Sequence, residues 1–209
     1  GVISDATANP ARTSETCVPG GAHAARGGSV EMKERQANMR SMGWHFDFHS
    51  HRNIRINHDP DTVGMVRTLR ECGVGEIITF AKGHVGFAYY PTRVGTVHPR
   101  MRGDAFGDMV TACKAERLDV VAYISFGVDG EAGRQHPDWV RMREPDLPDF
   151  YSDDWFVNVC PYTPYLDELM LPMIAEIVDA YPVDGFFFDT MGALRVCHCP
   201  SCQRAFQAA

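Results

Sequence analysis

The 209-residue sequence has no apolar run near the roughly 20 residues a membrane-spanning helix needs, so no integral membrane segment is expected. It also lacks a basic excess: 20 Lys and Arg stand against 27 Asp and Glu, for a net charge of -7. The basic residues are scattered among acids, and no stripe is available for a phosphate backbone, which argues against nucleic acid as a partner. A disulfide framework is missing too. The seven cysteines are odd in number, with Cys17, Cys72, Cys113 and Cys160 isolated and Cys197, Cys199 and Cys202 packed together. The first 30 residues carry no charged-then-apolar export pattern, so the compartment, cytoplasmic or exported, stays open. What the chain does have is 44% hydrophobic residues, enough for a substantial core. Its weakly acidic balance suits neutral, polar substrates such as carbohydrates.

Residues 1–40, rich in Ala, Gly, Ser, Thr and Pro, read as a flexible leader or linker, and 41–209 as the folded part. From Trp44 short apolar runs alternate with longer amphipathic segments, the pattern of βα units on a parallel sheet. Strands are expected at 44–51, 76–81, 120–126 and 183–189. Helices are expected from Asp61, an N-cap, to Gly73, over about 104–117, and over 166–181, where Pro172 should kink the helix or mark its first turn. A long loop, 128–159, separates the third strand from the third helix, and such loops are usually functional. Four strands with three helical segments predict an α/β fold of the (β/α)8 TIM-barrel type, of which about the first half is present. A half-barrel leaves open sheet edges that want a partner, a second copy of the chain being one candidate.

Four features carry chemistry. Cys197-His198-Cys199-Pro200-Ser201-Cys202 brings three thiols into one turn, and Cys160 is the natural fourth ligand for a tetrahedral zinc, with His198 in reserve. Four thiolates leave no open coordination position, so this zinc would be structural. The second is Val183 to Asp189, an apolar strand ending in a carboxylate. At the C-terminal end of a barrel strand, Asp189 would face the active-site mouth, where it suits the nucleophile of glycosidic-bond cleavage; a helix cap or ion-pair partner is the structural alternative. The third is Asp47, His49 and His51, spaced for one face of a strand. These can contact sugar hydroxyls, or bind the catalytic metal of an amidohydrolase or phosphoesterase. Between strands two and three, Lys82, His84 and Tyr89 supply donors and a stacking face for a pyranose ring, and Trp155 in the long loop adds a sugar platform.

In combination, Asp47 to Arg52, the Phe80 to Thr92 loop with Val97-His98-Pro99, the strand ending at Asp189 and the cysteine turn resemble hypothetical glycosyl hydrolase family six, related to the alpha-L-fucosidase barrels. The resemblance covers about residues 44–206. In fucosidases a similar Lys-His-His-x-Gly-Phe loop contacts the sugar, which implies substrate roles for Lys82, His84, Gly86 and Phe87; Gly83 stands where the first histidine would be. The strand-four aspartate of such barrels is the nucleophile, a role carried onto Asp189. The cysteine turn is similar to the zinc site of certain barrel beta-galactosidases, with Cys160, Cys197, Cys199 and Cys202 in matching order. The expectation is a retaining, exo-acting glycoside hydrolase, fucosidase-like or galactosidase-like, whose general acid/base lies beyond Ala209. The alternatives are a metal-dependent hydrolase using Asp47, His49 and His51, and a non-catalytic carbohydrate-binding barrel.

Overall fold

A computed structural model describes residues 42–145, 147–148, 150–152, 156–191 and 196–209. The leader and Trp155 lie outside these. Four parallel strands form the centre: β1 (Gly43–His45), β2 (Glu76–Lys82), β5 (Asp119–Ser125) and β10 (Gly185–Asp189). They lie side by side in the order β1-β2-β5-β10, which is the order they take along the chain. Short strands β3 (Phe87–Ala88) and β4 (Thr96–Val97) extend the sheet, β3 running antiparallel to the end of β2. Among the described residues β1 and β10 are each bonded on one side only, so this is a mixed α/β fold on a partial parallel sheet and not a closed barrel.

The first two crossover helices start where a side chain satisfies their exposed N–H groups. Asp61 accepts from Gly64 N at 2.9 Å and opens α1 (Thr62–Glu71); Asp104 accepts from Gly107 N at 2.8 Å and opens α2 (Ala105–Ala115). Gly73, at φ +94°, ends the first by turning left-handed. Residues 166–181 divide at the proline: a π-helical turn, Leu166–Met170, leads into α4 (Leu171–Ala180). Pro172 has no N–H to bond four residues back, and the widened turn before it absorbs the lost register.

The central strands β2 and β5 bury both faces, as parallel strands between layers do. One face carries rings in a row across the four strands. His45 meets Phe80 at 5.7 Å, Phe80 stacks on Tyr123 at 3.8 Å and 6°, and Tyr123 stacks on Phe187 at 5.6 Å. This aromatic floor underlies the C-terminal strand ends. The long loop is organised by α3 (Gly130–Gln135), a 3-10 turn and two short hairpins: β6 (Met142–Glu144) with β7 (Leu147–Pro148), and β8 (Phe150–Ser152) with β9 (Phe156–Val157). The final helix, α5, spans Pro200–Ala208.

Candidate functional site

The register of the sheet sets Asp189 of β10 directly beside Ser125 of β5. Tyr123 and Ser125, two residues apart on one strand, share a face, and Tyr123 reaches that carboxylate. The chain leaves β10 under constraint. Thr190, β-branched, sits at φ 63°, a region such residues seldom adopt. Its N–H donates to Asp189 Oδ1 at 2.7 Å, and its hydroxyl accepts from Gly127 N at 2.8 Å. A side chain at Gly127 would meet Thr190 O at 2.5 Å, so only glycine permits this approach. Strained backbone held by several bonds beside a carboxylate is a common mark of a working site.

Around Asp189 stand two histidines and a phenol. His84 Nε2 lies 3.5 Å from Asp189 Oδ2, and its other nitrogen, Nδ1, is 2.6 Å from Ser125 Oγ. The His84 ring stacks on His49 at 3.8 Å, and Phe156 covers both edge-on, at 5.2 and 6.0 Å. Tyr123 donates its O–H to Asp189 Oδ2. His49 Nδ1 accepts from His84 N at 3.1 Å, so its proton is on Nε2, which points to Tyr123 Oη at 3.4 Å. Burial, followed by the adjoining His49, lowers the His84 imidazole to about 4, and burial also lowers His49. Both rings are therefore neutral at pH 7. Burial first, then the bond to Asp189, raises the Tyr123 phenol, so it stays a donor. Asp189 keeps about a third of its side chain exposed, while His84 keeps 14%.

Lys82 does not share this mouth. Its ammonium reaches Asp129 Oδ2 at 2.8 Å, Ser125 O at 2.9 Å and Tyr165 Oη at 3.5 Å, and both charged side chains are 1% exposed. A direct sugar contact is the expectation for Lys82, and the structure directs its three N–H groups to Asp129, Ser125 O and Tyr165 instead of the mouth. Asp129 is held in turn by Ala132 N at 2.8 Å, which makes it the N-cap of α3.

The Asp47, His49 and His51 set does not converge. β1 ends at His45, so the alternation that would align the three on one face stops before it reaches them. Asp47 stays at the rim, 73% exposed, accepting from His49 N at 3.2 Å. His51 Nδ1 accepts from Asn53 N, and the residue lines a neighbouring cleft of about 680 Å³ with Arg52, Val85, Glu131, Arg134 and Val157. Among the described residues, the ligand atoms that do gather within 4.8 Å are those of His49, His84 and Asp189. Tyr89 is likewise displaced from the expected sugar face: it is buried, donates to Phe48 O, and accepts from Ser50 N at 3.1 Å, bracing the irregular chain after β1. An irregular segment must find side-chain partners for its backbone, and Tyr89 is one.

A second cluster lies beyond the same strand. The sulfurs of Cys160, Cys197, Cys199 and Cys202 all fall within 4.8 Å of one another, Cys160 and Cys202 at 3.4 Å. A bond from His198 N to Met142 O at 2.8 Å and one from Cys160 N to Trp139 O at 2.8 Å bring the turn and the single cysteine together. Tetrahedral thiolates at about 2.3 Å from zinc are about 3.8 Å apart, so the spacing fits one ion. Cys160, Cys197 and Cys202 share a small cavity with Thr190 and Met191, directly after Asp189.

Sequence reasoning overlooked Tyr123, Ser125, Asp129 and Tyr165. The first two carried a readable signal: polar groups two residues apart on a strand otherwise apolar from Val120 to Ile124. Asp129-Gly130 has the form of a cap, but nothing local joins it to Lys82.

A comparison with curated proteins returns no match. Among solved structures, alpha-L-fucosidase isoenzyme 2 from Paenibacillus thiaminolyticus is similar at 32% identity and a TM-score of 0.73, over 81% of this chain. The chain spans only 26% of that fucosidase's length. A hypothetical protein from Ruminiclostridium thermocellum ATCC 27405, at 11% identity and a TM-score of 0.51 over 61% of this chain and 68% of its own, shares the fold. Residues 61–190 run from the cap of the first helix to the strained threonine after β10, and they match the family described as hypothetical glycosyl hydrolase 6; the chain belongs to that family.

Proposed function

We propose that the protein containing this chain is a retaining, exo-acting glycoside hydrolase, in which Asp189 attacks the anomeric carbon of a terminal sugar. The observation that carries the reading is the setting of Asp189. It is a half-open carboxylate at a parallel strand end, oriented by the Tyr123 O–H and Thr190 N–H, with a neutral His84 Nε2 at 3.5 Å. In that role the carboxylate forms a glycosyl ester as the leaving-group oxygen departs, and water then releases the sugar with its configuration retained. The general acid/base comes from elsewhere in the protein. His84 and His49 orient hydroxyls, and Phe156 offers an apolar edge to the ring. Asp47 and His51 are rim contacts in this reading, and Trp155 remains an expected sugar platform. The fucosidase named among the similar structures makes alpha-L-fucosides the first substrates to test, with beta-galactosides second.

The four converging thiols support a structural zinc held by Cys160, Cys197, Cys199 and Cys202. This ion would tie the chain after Asp189 to the long loop and take no part in bond cleavage. The proximity of His49, His84 and Asp189 supports a second reading, a catalytic metal in the mouth. It is the weaker one because both His49 nitrogens are already engaged.

The test is made on full-length protein. Aryl alpha-L-fucoside is expected to be hydrolysed with the first-formed product retaining its anomeric configuration. A 2-fluoro fucosyl inactivator should label the peptide that contains Asp189. Asp189→Asn should lower turnover by roughly 10^3-fold or more while the fold persists. Labelling of another carboxylate, or near-normal turnover by the variant, removes Asp189 from the role. Sugar binding without hydrolysis would favour a carbohydrate-binding protein. Elemental analysis expects one zinc per chain, lost in Cys199→Ser and kept in Asp189→Asn; a second metal lost in Asp189→Asn would favour the metal-dependent reading.

A further inference from the structure

Ser125 is completely buried, and its hydroxyl is squeezed between two partners at the same distance: Val128 O at 2.6 Å and His84 Nδ1 at 2.6 Å. A hydroxyl owns one proton. The Val128 carbonyl has none to give, so the Ser125 proton must point at it, and the serine oxygen is left only its lone pairs for the imidazole. Both short contacts are satisfied together in one way for a neutral ring, with the proton of His84 on Nδ1, donated to Ser125 Oγ. His84 Nε2 is then bare. It faces Asp189 Oδ2 across 3.5 Å, and that oxygen already accepts the Tyr123 proton. Two acceptors thus stand side by side with no proton between them.

We propose that Ser125 is a positioning residue that holds His84 as its Nδ1–H tautomer, keeping Nε2 as an acceptor reserved for a substrate hydroxyl beside the reacting carbon.

The opposite tautomer would aim an N–H at Asp189. It would stabilise the carboxylate charge and blunt the group as a nucleophile, and it would offer the sugar hydroxyl no acceptor. The neighbours agree with the assignment. His49, stacked on His84, carries its own proton on Nε2 and gives it to Tyr123, so it adds no positive charge to the pair. Lys82 is neutralised by Asp129, and Asp47 lies at the rim. The lowered His84 value keeps the ring neutral across the physiological range, the condition under which a tautomer is defined. With Asp189 on the anomeric carbon, the hydroxyl within reach of Nε2 is that of the adjacent carbon. This second half rests on the glycosidase reading; the tautomer does not.

The first measurement is a long-range 1H–15N spectrum of 15N-histidine-labelled, full-length wild-type protein at pH 7.5 without substrate, with His84 assigned by loss of its signals in His84→Gln. The expected pattern is a protonated Nδ1 and a bare Nε2. A proton on Nε2, or averaging over both nitrogens, overturns the tautomer assignment whether or not the protein cleaves glycosides, and the wild-type spectrum decides this without any Ser125 variant folding. In Ser125→Ala the proton should move toward Nε2; an unmoved proton overturns the positioning role of Ser125. For the acceptor role, kcat/KM is compared between an aryl glycoside and its 2-deoxy analogue. The preference for the hydroxylated substrate should shrink by about 10-fold in Ser125→Ala, the scale of one hydrogen bond. An undiminished preference overturns that role. Absence of hydrolysis with the expected tautomer in place would sink the glycosidase reading and leave Ser125 as the residue that sets His84.

Discussion

Ser125 touches two acid–base pairs that are built differently. Beneath it, Lys82 and Asp129 form a closed pair at 2.8 Å, each 1% exposed, with every Lys82 proton directed at a named acceptor. Beside it, His84 and Asp189 stand 3.5 Å apart, 14% and 36% exposed, and the geometry leaves an acceptor facing the opening. A buried charge must be paired and bonded, because desolvation costs several kcal/mol per ion, and once that is done it has nothing left to offer a ligand. The open pair tolerates its poorer spacing because water or substrate can complete it. The difference separates a pair whose groups are spent on each other from one that leaves an acceptor free for a ligand, although both lie at strand ends of the same sheet.

Breaking the closed pair should give the largest change in stability. Lys82→Met leaves Asp129 buried without its cation and is expected to cost about 3–5 kcal/mol, read as a lower midpoint in urea. Asp189→Asn, assayed in the same way, should move the midpoint little, since its partner is neutral and its site half-open. Equal losses in the two variants would erase the distinction drawn between the pairs.

A smaller effect comes from two glycines with nearly the same backbone. Gly73 has φ +94° with nothing within 4 Å of an added Cβ, whereas Gly86 has φ +97° and its Cβ would press on Asp129 Oδ1 and stand 2.6 Å from Glu131 N. Gly73→Ala should cost about 1 kcal/mol for the left-handed backbone alone. Gly86→Ala adds a collision with the closed pair and should cost about 2–3 kcal/mol. Equilibrium unfolding of the two variants side by side isolates the contribution of the surroundings.

The mildest test uses protons. His84 is lowered from 6.5 to about 4, so between those values the unfolded chain binds protons that the folded one refuses. Stability therefore rises with pH through this window and falls as pH drops from 6.5 toward 4. Thermal midpoints across that range should show the decline, and His84→Gln should reduce its slope. The slope will not vanish, because burial lowers His49 and His98 as well.

Much of the fold was legible because its causes are local. Asp61 and Asp104 announce helices through bonds to N–H groups three residues on, and the apolar runs of β2 and β5 follow from their burial. Asp189 stood out because a carboxylate closes an otherwise apolar strand. The place of Lys82 was not legible because its partner, Asp129, lies 47 positions later in a loop with no periodic signal. The histidine face of 44–51 was overextended: alternation continues in the sequence after His45, but the ladder to β2 does not.

Composition, caps and strand patterning by themselves determined a mixed α/β chain with parallel strands, a carboxylate at one strand end and a cysteine turn able to gather thiols. All of these depend on neighbours within a few positions. Only the tertiary structure decided that His84 rather than Lys82 stands beside Asp189, that Tyr89 braces a loop, and that Ser125 links the two pairs. A side chain's role there depends on which proton, charge or void it meets across the sheet, and strand register, not sequence spacing, sets those encounters.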